Sequence, residues 1–352
     1  MRGVKMETLK TRYIDLPTMA KYLKKVGPEN VMKRLVSYLE SDYRRWNEFQ
    51  KMPRTAHHSD IGVLELMPIG DSETYSFKYV NGHPENPKHN YLTVMGIGLL
   101  AEVSTGFPLF LSELTLTTAI RTAATSVMAA KYLAKPNPKK MALIGNGCQS
   151  EFQALAFHHI LGIEEIYCYD VDPEATSKLM DNLKDVNNLK LIKCNSTKEA
   201  CKGVDIITTV TADKRNAIII TPDMVEPGMH INGVGGDCPG KTELDSEVLN
   251  MGDVYVEFEP QSRIEGEIQH MDENFKVTEI WNVIKTGKPI YRKPDEITIF
   301  DSVGFALEDF SILRLMYDID KEENIGVPQI LVPKLENPKN LYSLLGNKAI
   351  NV

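Results

Sequence analysis

Two glycine-rich stretches carry the residue types and spacing that chemistry on a bound small molecule would need. In the first, Gly145-Asn-Gly147 stands where the apolar run Met141 to Ile144 stops and a helical pattern through Phe152, Leu155, Ala156 and Ile160 begins. Glycines at a strand-to-helix turn let a diphosphate approach the backbone, and the first helical N–H groups then face it with the positive end of the dipole behind them. Ser150 replaces the third glycine of the usual fingerprint, so context has to support the pattern. It does: roughly two dozen residues on, the strand-like Ile166 to Tyr169 ends at Asp170, whose carboxylate can accept hydrogen bonds from both ribose hydroxyls. No arginine follows in Asp170-Val-Asp-Pro173, so a 2′-phosphate would meet repulsion and NAD is expected rather than NADP. The bland alternative is a glycine turn that binds nothing.

The second stretch, Gly233-Val234-Gly235-Gly-Asp237-Cys-Pro-Gly-Lys241, also follows a strand. Its flexible backbone can approach a nicotinamide ring and present Asp237 at the reacting carbon, although a Gly-Asp pair is also a common turn. Cations stand in three separate earlier segments. Lys78 lies in a strand between Phe77 and Tyr79 and needs an anionic partner if buried; Arg54 lies in a loop, and Arg121 on an Ala-rich helix. Together they could clamp a carboxylate, while singly each reads as a solvated charge. Cys238 has no evident histidine beside it for nucleophilic catalysis, and His83 and His89 lack zinc-type spacing, so no metal is expected.

These residues have to be positioned by two different kinds of structure. Residues 12–52 read as helical, with Val31, Leu35, Tyr38, Leu39 and Trp46 on one buried face. The period then changes to that of strands at Val63–Met67, Tyr75–Val80, Thr93–Val103 and Pro108–Glu113, with Ser104-Thr-Gly106 as a hairpin turn. A helix over Thr115–Ala134 leads into the glycine corner, after which strands and helices alternate: Ile166–Tyr169, a helix from Pro173, Leu189–Ile192, Thr197–Cys201, Asp205–Val210, His230–Gly235, Val254–Val256 and Ile297–Phe300. Ser302–Met316 reads as a last helix, and the tail from Val327 as irregular. The fold class is therefore α/β: an α+β first domain with a mostly antiparallel sheet, and a Rossmann-type domain with a parallel sheet. In such sheets ligands lie beyond the carboxyl ends of the strands, so the stretches after Val210, Val234 and Phe300 should converge.

The 352 residues suffice for two domains, and the net charge of −8 argues against a nucleic-acid partner. Met1 to Lys10 lacks the apolar core of a signal peptide, and no apolar run is long enough for a membrane. Five cysteines without paired spacing read as reduced thiols of a cytoplasmic protein.

The motifs together resemble a known family. Phe77-Lys-Tyr-Val-Asn-Gly-His-Pro84, Ser112 to Ala124, Ala142 to Ser150, Asn232 to Glu243 and Asp301-Ser-Val-Gly-Phe-Ala-Leu-Glu-Asp309 resemble, in order and spacing, the ornithine cyclodeaminase and μ-crystallin family, which also holds some alanine dehydrogenases. The resemblance runs from about Tyr13 to about Asp318. It implies a homodimer in which residues 1–122, completed by 323–352, form the substrate and dimerisation domain, and 123–322 the NAD domain. Matched position by position, Asp237 is the catalytic acid/base. Arg54, Lys78, Arg121 and Val303 contact substrate, with Glu65 as an amine-binding carboxylate. Thr93, Arg121, Gly145, Gly147, Cys148, Gln149, Asp170, Thr211, Asn232, Val234, Gly235, Lys241 and Ser302 fall on the cofactor side. Cys148 stands where alanine is expected, at a contact made by the backbone. The implied reaction passes hydride from Cα of L-ornithine to NAD, closes the ring with the δ-amine, loses ammonia and returns the hydride to give L-proline. Alternatives within the fold are an amino-acid dehydrogenase, a ketimine reductase or a lysine cyclodeaminase; a crystallin-like binding protein is a further one, against which the intact Asp237 counts.

Overall fold

The computed structural model describes residues 10–212, 217–290 and 293–345. The signal-peptide reading of residues 1–9 and the last part of the tail, 346–352, lie outside the described residues. Two sheets organise the chain. The first takes β1 (Thr11–Ile14), β2 (Thr55–Ser59), β3 (Gly62–Gly70), β4 (Thr74–Gly82), β5 (Val94–Glu102), β6 (Pro108–Glu113) and, from the far end of the chain, β15 (Val327–Gln329), in the order β15-β1-β6-β5-β4-β3-β2. Only the β1–β6 pairing is parallel. The second takes β7 (Lys140–Ile144), β8 (Glu165–Tyr169), β9 (Lys190–Lys193), β10 (Ile206–Thr209), β11 (His230–Gly233), β12 (Asp253–Val256), β13 (Thr278–Glu279) and β14 (Thr298–Asp301). Its order is β13-β12-β14-β11-β10-β7-β8-β9, parallel throughout. The α/β class and both sheet types match the expectation.

The differences are local and have physical causes. Residues 12–52 are not one helix. Thr11–Ile14 is a strand completed by β6 and β15, partners from about 100 and 300 residues away. The helix Leu16–Val26 then starts because the Asp15 side chain accepts the Thr18 N–H at 2.9 Å, and it stops at Gly27 (φ 83°). The tail supplies β15 rather than being wholly irregular. The last helix spans Ala306–Glu323, four residues later than its apolar pattern suggests, because residues 302–305 form a turn through Gly304 (φ 79°).

The inner and outer faces of the first sheet differ. Strand alternation turns Glu65, Met67, Lys78, Val80 and Leu100 inward. The helix Ala306–Glu323 packs on that inner side. Leu64, Leu66, Tyr79 and Ile97 point outward and are exposed. In the second sheet β7, β10, β11 and β14 are neighbours, so the stretches that follow them lie side by side, as the strand arrangement required. Among the described residues no helix is long and apolar enough to cross a membrane.

Candidate functional site

The glycine corner is built as its spacing implies. Gly145 has φ 91°, and a Cβ there would press on the Val210 backbone at 2.9 Å, so only glycine fits between the ends of β7 and β10. Gly147 is different: a Cβ would meet nothing in the chain, so the space beside it is open. Next to it the Gln149 Oε1 is buried without a hydrogen-bond partner, and Cys148 is exposed. An open cradle beside an amide with spare hydrogen-bonding capacity fits a dinucleotide lying against this loop, the Gln149 Nε2 being the end that can donate to a phosphate. Asp170 ends β8 one strand over, its Oδ2 accepting Asn146 N–H at 2.5 Å and its Oδ1 accepting Asp172 N–H at 2.8 Å.

The loop after β11 is fixed by carboxylates. Glu243 accepts hydrogen bonds from Thr209 Oγ1 (2.6 Å), Thr211 N (2.8 Å) and Oγ1 (2.5 Å), and Gly235 N (2.7 Å), joining the ends of β10 and β11. Glu267 in turn accepts from Glu243 N and Leu244 N. A Cβ at Gly235 would run into Glu243, and one at Gly236 into Glu267. These glycines therefore make room for buried carboxylates, a reason that differs from the close ligand approach read from sequence. Asp237 emerges half-exposed from the loop, with Lys241 Nζ 3.2 Å from its Oδ1 and 3.1 Å from Thr211 O. Burial lowers the Lys241 ammonium pKa, but the charges of Asp237 and Glu243 outweigh this and leave it raised.

Across from that loop the three cations converge. Arg54 is buried: Nη1 lies 3.1 Å from Glu65, Nε 3.0 Å from Glu265, and Nη2 donates to Val303 O (2.9 Å) and Gly304 O (2.6 Å). Lys78, 1% exposed, has its Nζ 2.8 Å from Asp309 Oδ1. Arg121 Nη1 donates to Glu308 at 2.9 Å and its Nε lies 3.2 Å from Asp309. A Cβ on Gly304 would strike the Arg121 guanidinium, so glycine there lets the arginine lie flat on the turn. The charges are felt across the group. Burial, then the charge of Arg121, lowers Lys78 to about 8 against Asp309. Burial works against the Arg54 cation, yet the charges of Glu65, Glu265 and Asp237 keep its pKa raised. Burial lifts Glu265 to about 7 and Asp301 to about 7. Glu257 rises to about 8 through burial and the charges of Glu308 and Asp301. It accepts hydrogen bonds from Ser302 Oγ (2.9 Å), Val303 N (3.2 Å) and Gly304 N (3.2 Å), fixing the turn that faces Arg54.

The structure thus brings Arg54, Glu65, Lys78, Arg121 and Val303 together, and places Thr211, Val234, Gly235, Lys241 and Ser302 along the neighbouring strand ends, with Asp237 beside Lys241 and its charge acting on Arg54. Two expected residues stand apart. Asn232 is fully buried, its side chain bonded to Thr208 Oγ1 (3.2 Å) and His230 Nε2 (3.1 Å) inside the sheet, so that side chain is not available to a ligand. Thr93 precedes β5, its carbonyl accepting His83 N–H at 2.9 Å, with no hydrogen bond to the cluster. Sequence reasoning gave no role to Glu243, Glu257, Glu265, Glu308 or Asp309. The one signal available was the demand of a buried lysine for an anion, met by the acidic pair that opens the last helix.

Comparison with known proteins gives the chain a family. The profile of the ornithine cyclodeaminase/mu-crystallin family matches residues 17–324. The chain is 51% identical over 334 residues to an ornithine cyclodeaminase of Brucella suis, covering 95% of this chain and 93% of that one. Among solved structures, an archaeal alanine dehydrogenase dimer with bound NAD is similar at TM-score 0.82 and 29% identity, over 92% of this chain and 100% of the other. The Thermococcus litoralis Δ1-pyrroline-2-carboxylate reductase in complex with NADH and L-proline is similar at TM-score 0.82 and 27% identity, over 90% and 99%. With its matched region taking in the whole second sheet, β2 to β6 of the first and every segment of the cation cluster, the chain belongs to the ornithine cyclodeaminase/mu-crystallin family.

Proposed function

We propose that this chain is an NAD-dependent ornithine cyclodeaminase, converting L-ornithine to L-proline and ammonia. The observation that carries the reading is Arg54: a buried guanidinium paired with Glu65 and Glu265, under the charge of Asp237 and next to Lys78 and Arg121. That is a binding place for a molecule bearing one carboxylate and two amines. The relative named an ornithine cyclodeaminase supports the same substrate.

Gly145, Gly147, Cys148 and Gln149 would hold the diphosphate, Asp170 the ribose, and Thr211, Val234, Gly235, Lys241 and Ser302 the nicotinamide half. Asn232 would contribute through its backbone, and Thr93 by its match to a family position. NAD bound there supplies a reversible hydride acceptor at the α-carbon. Lys78 and Arg121 orient the substrate carboxylate, since Arg121 Nη2 and two of the three Lys78 protons have no partner among the described residues, and Arg54, whose N–H groups face Glu65, Glu265, Val303 O and Gly304 O, adds its positive charge beside them. Arg54 also orders the Val303 and Gly304 carbonyls at the substrate's edge. Glu65 receives the side-chain amine, and Asp237, half-exposed beside Lys241, passes protons among the amines. Carrying amine and electrophilic carbon in one molecule makes ring closure intramolecular. With ornithine and NAD the purified protein should release proline and ammonia without accumulating reduced-nicotinamide absorbance; a dehydrogenase would accumulate it. Asp237→Ala should abolish turnover and leave NAD affinity within about twofold; proline formation at the original rate would refute the role.

We also infer a homodimer in a reducing, cytoplasmic setting. Leu64, Leu66, Tyr79 and Ile97 form a contiguous apolar face on the outer side of the first sheet, the kind of surface a second copy covers. Light scattering should give twice the chain mass, and Leu66→Asp should shift it toward the monomer.

A further inference from the structure

The reaction proposed above needs more proton storage than one carboxylate provides. Ornithine arrives with both amines protonated. The α-ammonium gives up a proton before its carbon can lose hydride, leaving C=NH2⁺. The δ-ammonium gives up a second proton before its lone pair can form the ring C–N bond. The new ring nitrogen then passes a proton to the α-nitrogen, the old C–N bond breaks, NH3 departs and a ring C=NH⁺ remains. Return of the hydride gives a neutral proline amine. The two stored protons go back last, one to ammonia and one to proline. In a closed site both must be held at once, and Asp237 can hold one.

Glu265 ends the helix Glu259–Glu265 with its side chain 5% exposed. Its only recorded contact among the described residues is the 3.0 Å ion pair with Arg54 Nε, and Oε2 is buried with no hydrogen bond. Of the other buried carboxylates nearby, Glu243 is held by Thr209, Thr211 and Gly235, Glu257 by Ser302, Val303 and Gly304, and Glu267 by Glu243 N and Leu244 N. Asp301 and Asp309 each also leave one oxygen without a hydrogen bond, but Asp301 accepts Ile268 N–H and Asp309 pairs with both Lys78 and Arg121. A buried carboxylate without hydrogen bonds is costly unless something else uses it. Glu65 sits on the other side of the same guanidinium, and the charge of Asp237 reaches Glu265.

We propose that Glu265 is the second proton acceptor of the site, taking the proton of the δ-ammonium while Asp237 serves the α-nitrogen. It faces Arg54 from the loop before β2, Glu65 from β3 and Asp237 from the loop after β11, with Asp301 beyond Gly266 and the Glu259–Arg263 pair on its own helix. Burial pushes its carboxyl up to about 7, against Arg54 and with Glu65 and Asp237, so it exchanges a proton near neutrality.

The proposal rests on the cyclodeaminase reading, and the test separates the two. Wild-type protein that forms no proline from ornithine refutes that reading, and the proposal with it. If wild type does form proline, Glu265→Gln should slow steady-state formation by about 10²-fold or more. In a single turnover it should build up reduced-nicotinamide absorbance, because the α-carbon is oxidised while ring closure stalls. The kcat profile should lose its limb near pH 7. Glu265→Asp, which keeps a carboxyl, should retain the limb, and NAD affinity and thermal melting report whether each variant is folded. An unchanged pH profile without nicotinamide reduction overturns the proposal, whether the rate is normal or reduced, because Glu265 would then only hold Arg54.

Discussion

The glycine corner and the cation cluster are made in opposite ways. Residues 145–150 form the corner from one continuous stretch whose working parts are backbone geometry and open space. The cluster assembles Arg54, Glu65, Lys78, Arg121, Glu265, Glu308 and Asp309 from six separate segments, and its working parts are buried charges. In the first, a side chain matters only where a Cβ collides. In the second, every side chain is the partner of another, so removing one leaves a charge uncompensated in a low-dielectric interior. Stability and function are therefore coupled in the cluster and nearly separable in the corner.

The largest effect should come from breaking one charge pair. Asp309→Leu strips Lys78 of its only ion-pair partner among the described residues and should cost about 3–5 kcal/mol in denaturant unfolding, with loss of turnover. Adding Lys78→Met should restore much of the stability, since an apolar pair of similar volume replaces a buried ionic one, yet leave the protein inactive. If the double variant is no more stable than the single one, burial of charge is not what sets the cost.

A pH series tests the same cluster more gently. Glu257, Glu265 and Asp301 titrate at about 8, 7 and 7 in the folded chain, against ordinary values of 4.5, 4.5 and 3.8. Between those limits the folded protein holds more protons than the unfolded one, so stability falls as pH rises through about 4.5 to 8 and levels off above. Lys78, lowered to about 8, acts in the opposite sense and only above pH 8, where the penalty for burying its cation fades toward 10.5. Urea unfolding of cofactor-free protein should show a downward slope on the order of 1 kcal/mol per pH unit between pH 5 and 8. Glu257→Gln should make it shallower, most clearly between pH 7 and 8, where Glu257 is the last of the three to titrate.

The contrast between the two regions also explains what could be read from the chain. Gly145, Gly147 and Asp170 follow from local rules, because a strand, a tight turn and a helix lie within 30 residues of one another. The three cations were visible as types, but their meeting depends on register. Lys78 and Glu65 face inward because β3 and β4 pair as Met67↔Lys78 and Glu65↔Val80, which no local pattern specifies. Their anionic partners were hidden for the same reason, since Asp309 is 231 residues from Lys78. Asn232 came to the cofactor side from the family resemblance alone, and no local pattern shows that strand alternation turns its side chain into a buried ladder with His230 and Thr208.

Within the corner itself, the size of each effect should track collision. Gly145→Ala forces a side chain at φ 91° against the Val210 backbone, and should cost about 1–3 kcal/mol of stability along with cofactor affinity. Gly147→Ala meets no protein atom, so it should leave the melting temperature nearly unchanged and weaken NAD alone, as measured by calorimetric titration.

Cys148→Ala is the smallest and the most discriminating change. The thiol is exposed, no hydrogen bond holds it among the described residues, and the two flanking positions already show what the corner uses: open space at Gly147 and a buried amide oxygen at Gln149. If a ligand meets residue 148 through its backbone, removing the sulfur should alter both stability and NAD affinity by less than about 0.5 kcal/mol. A tenfold loss of affinity would mean that the thiol itself touches the cofactor, and the corner would then obey the side-chain rule of the cation cluster.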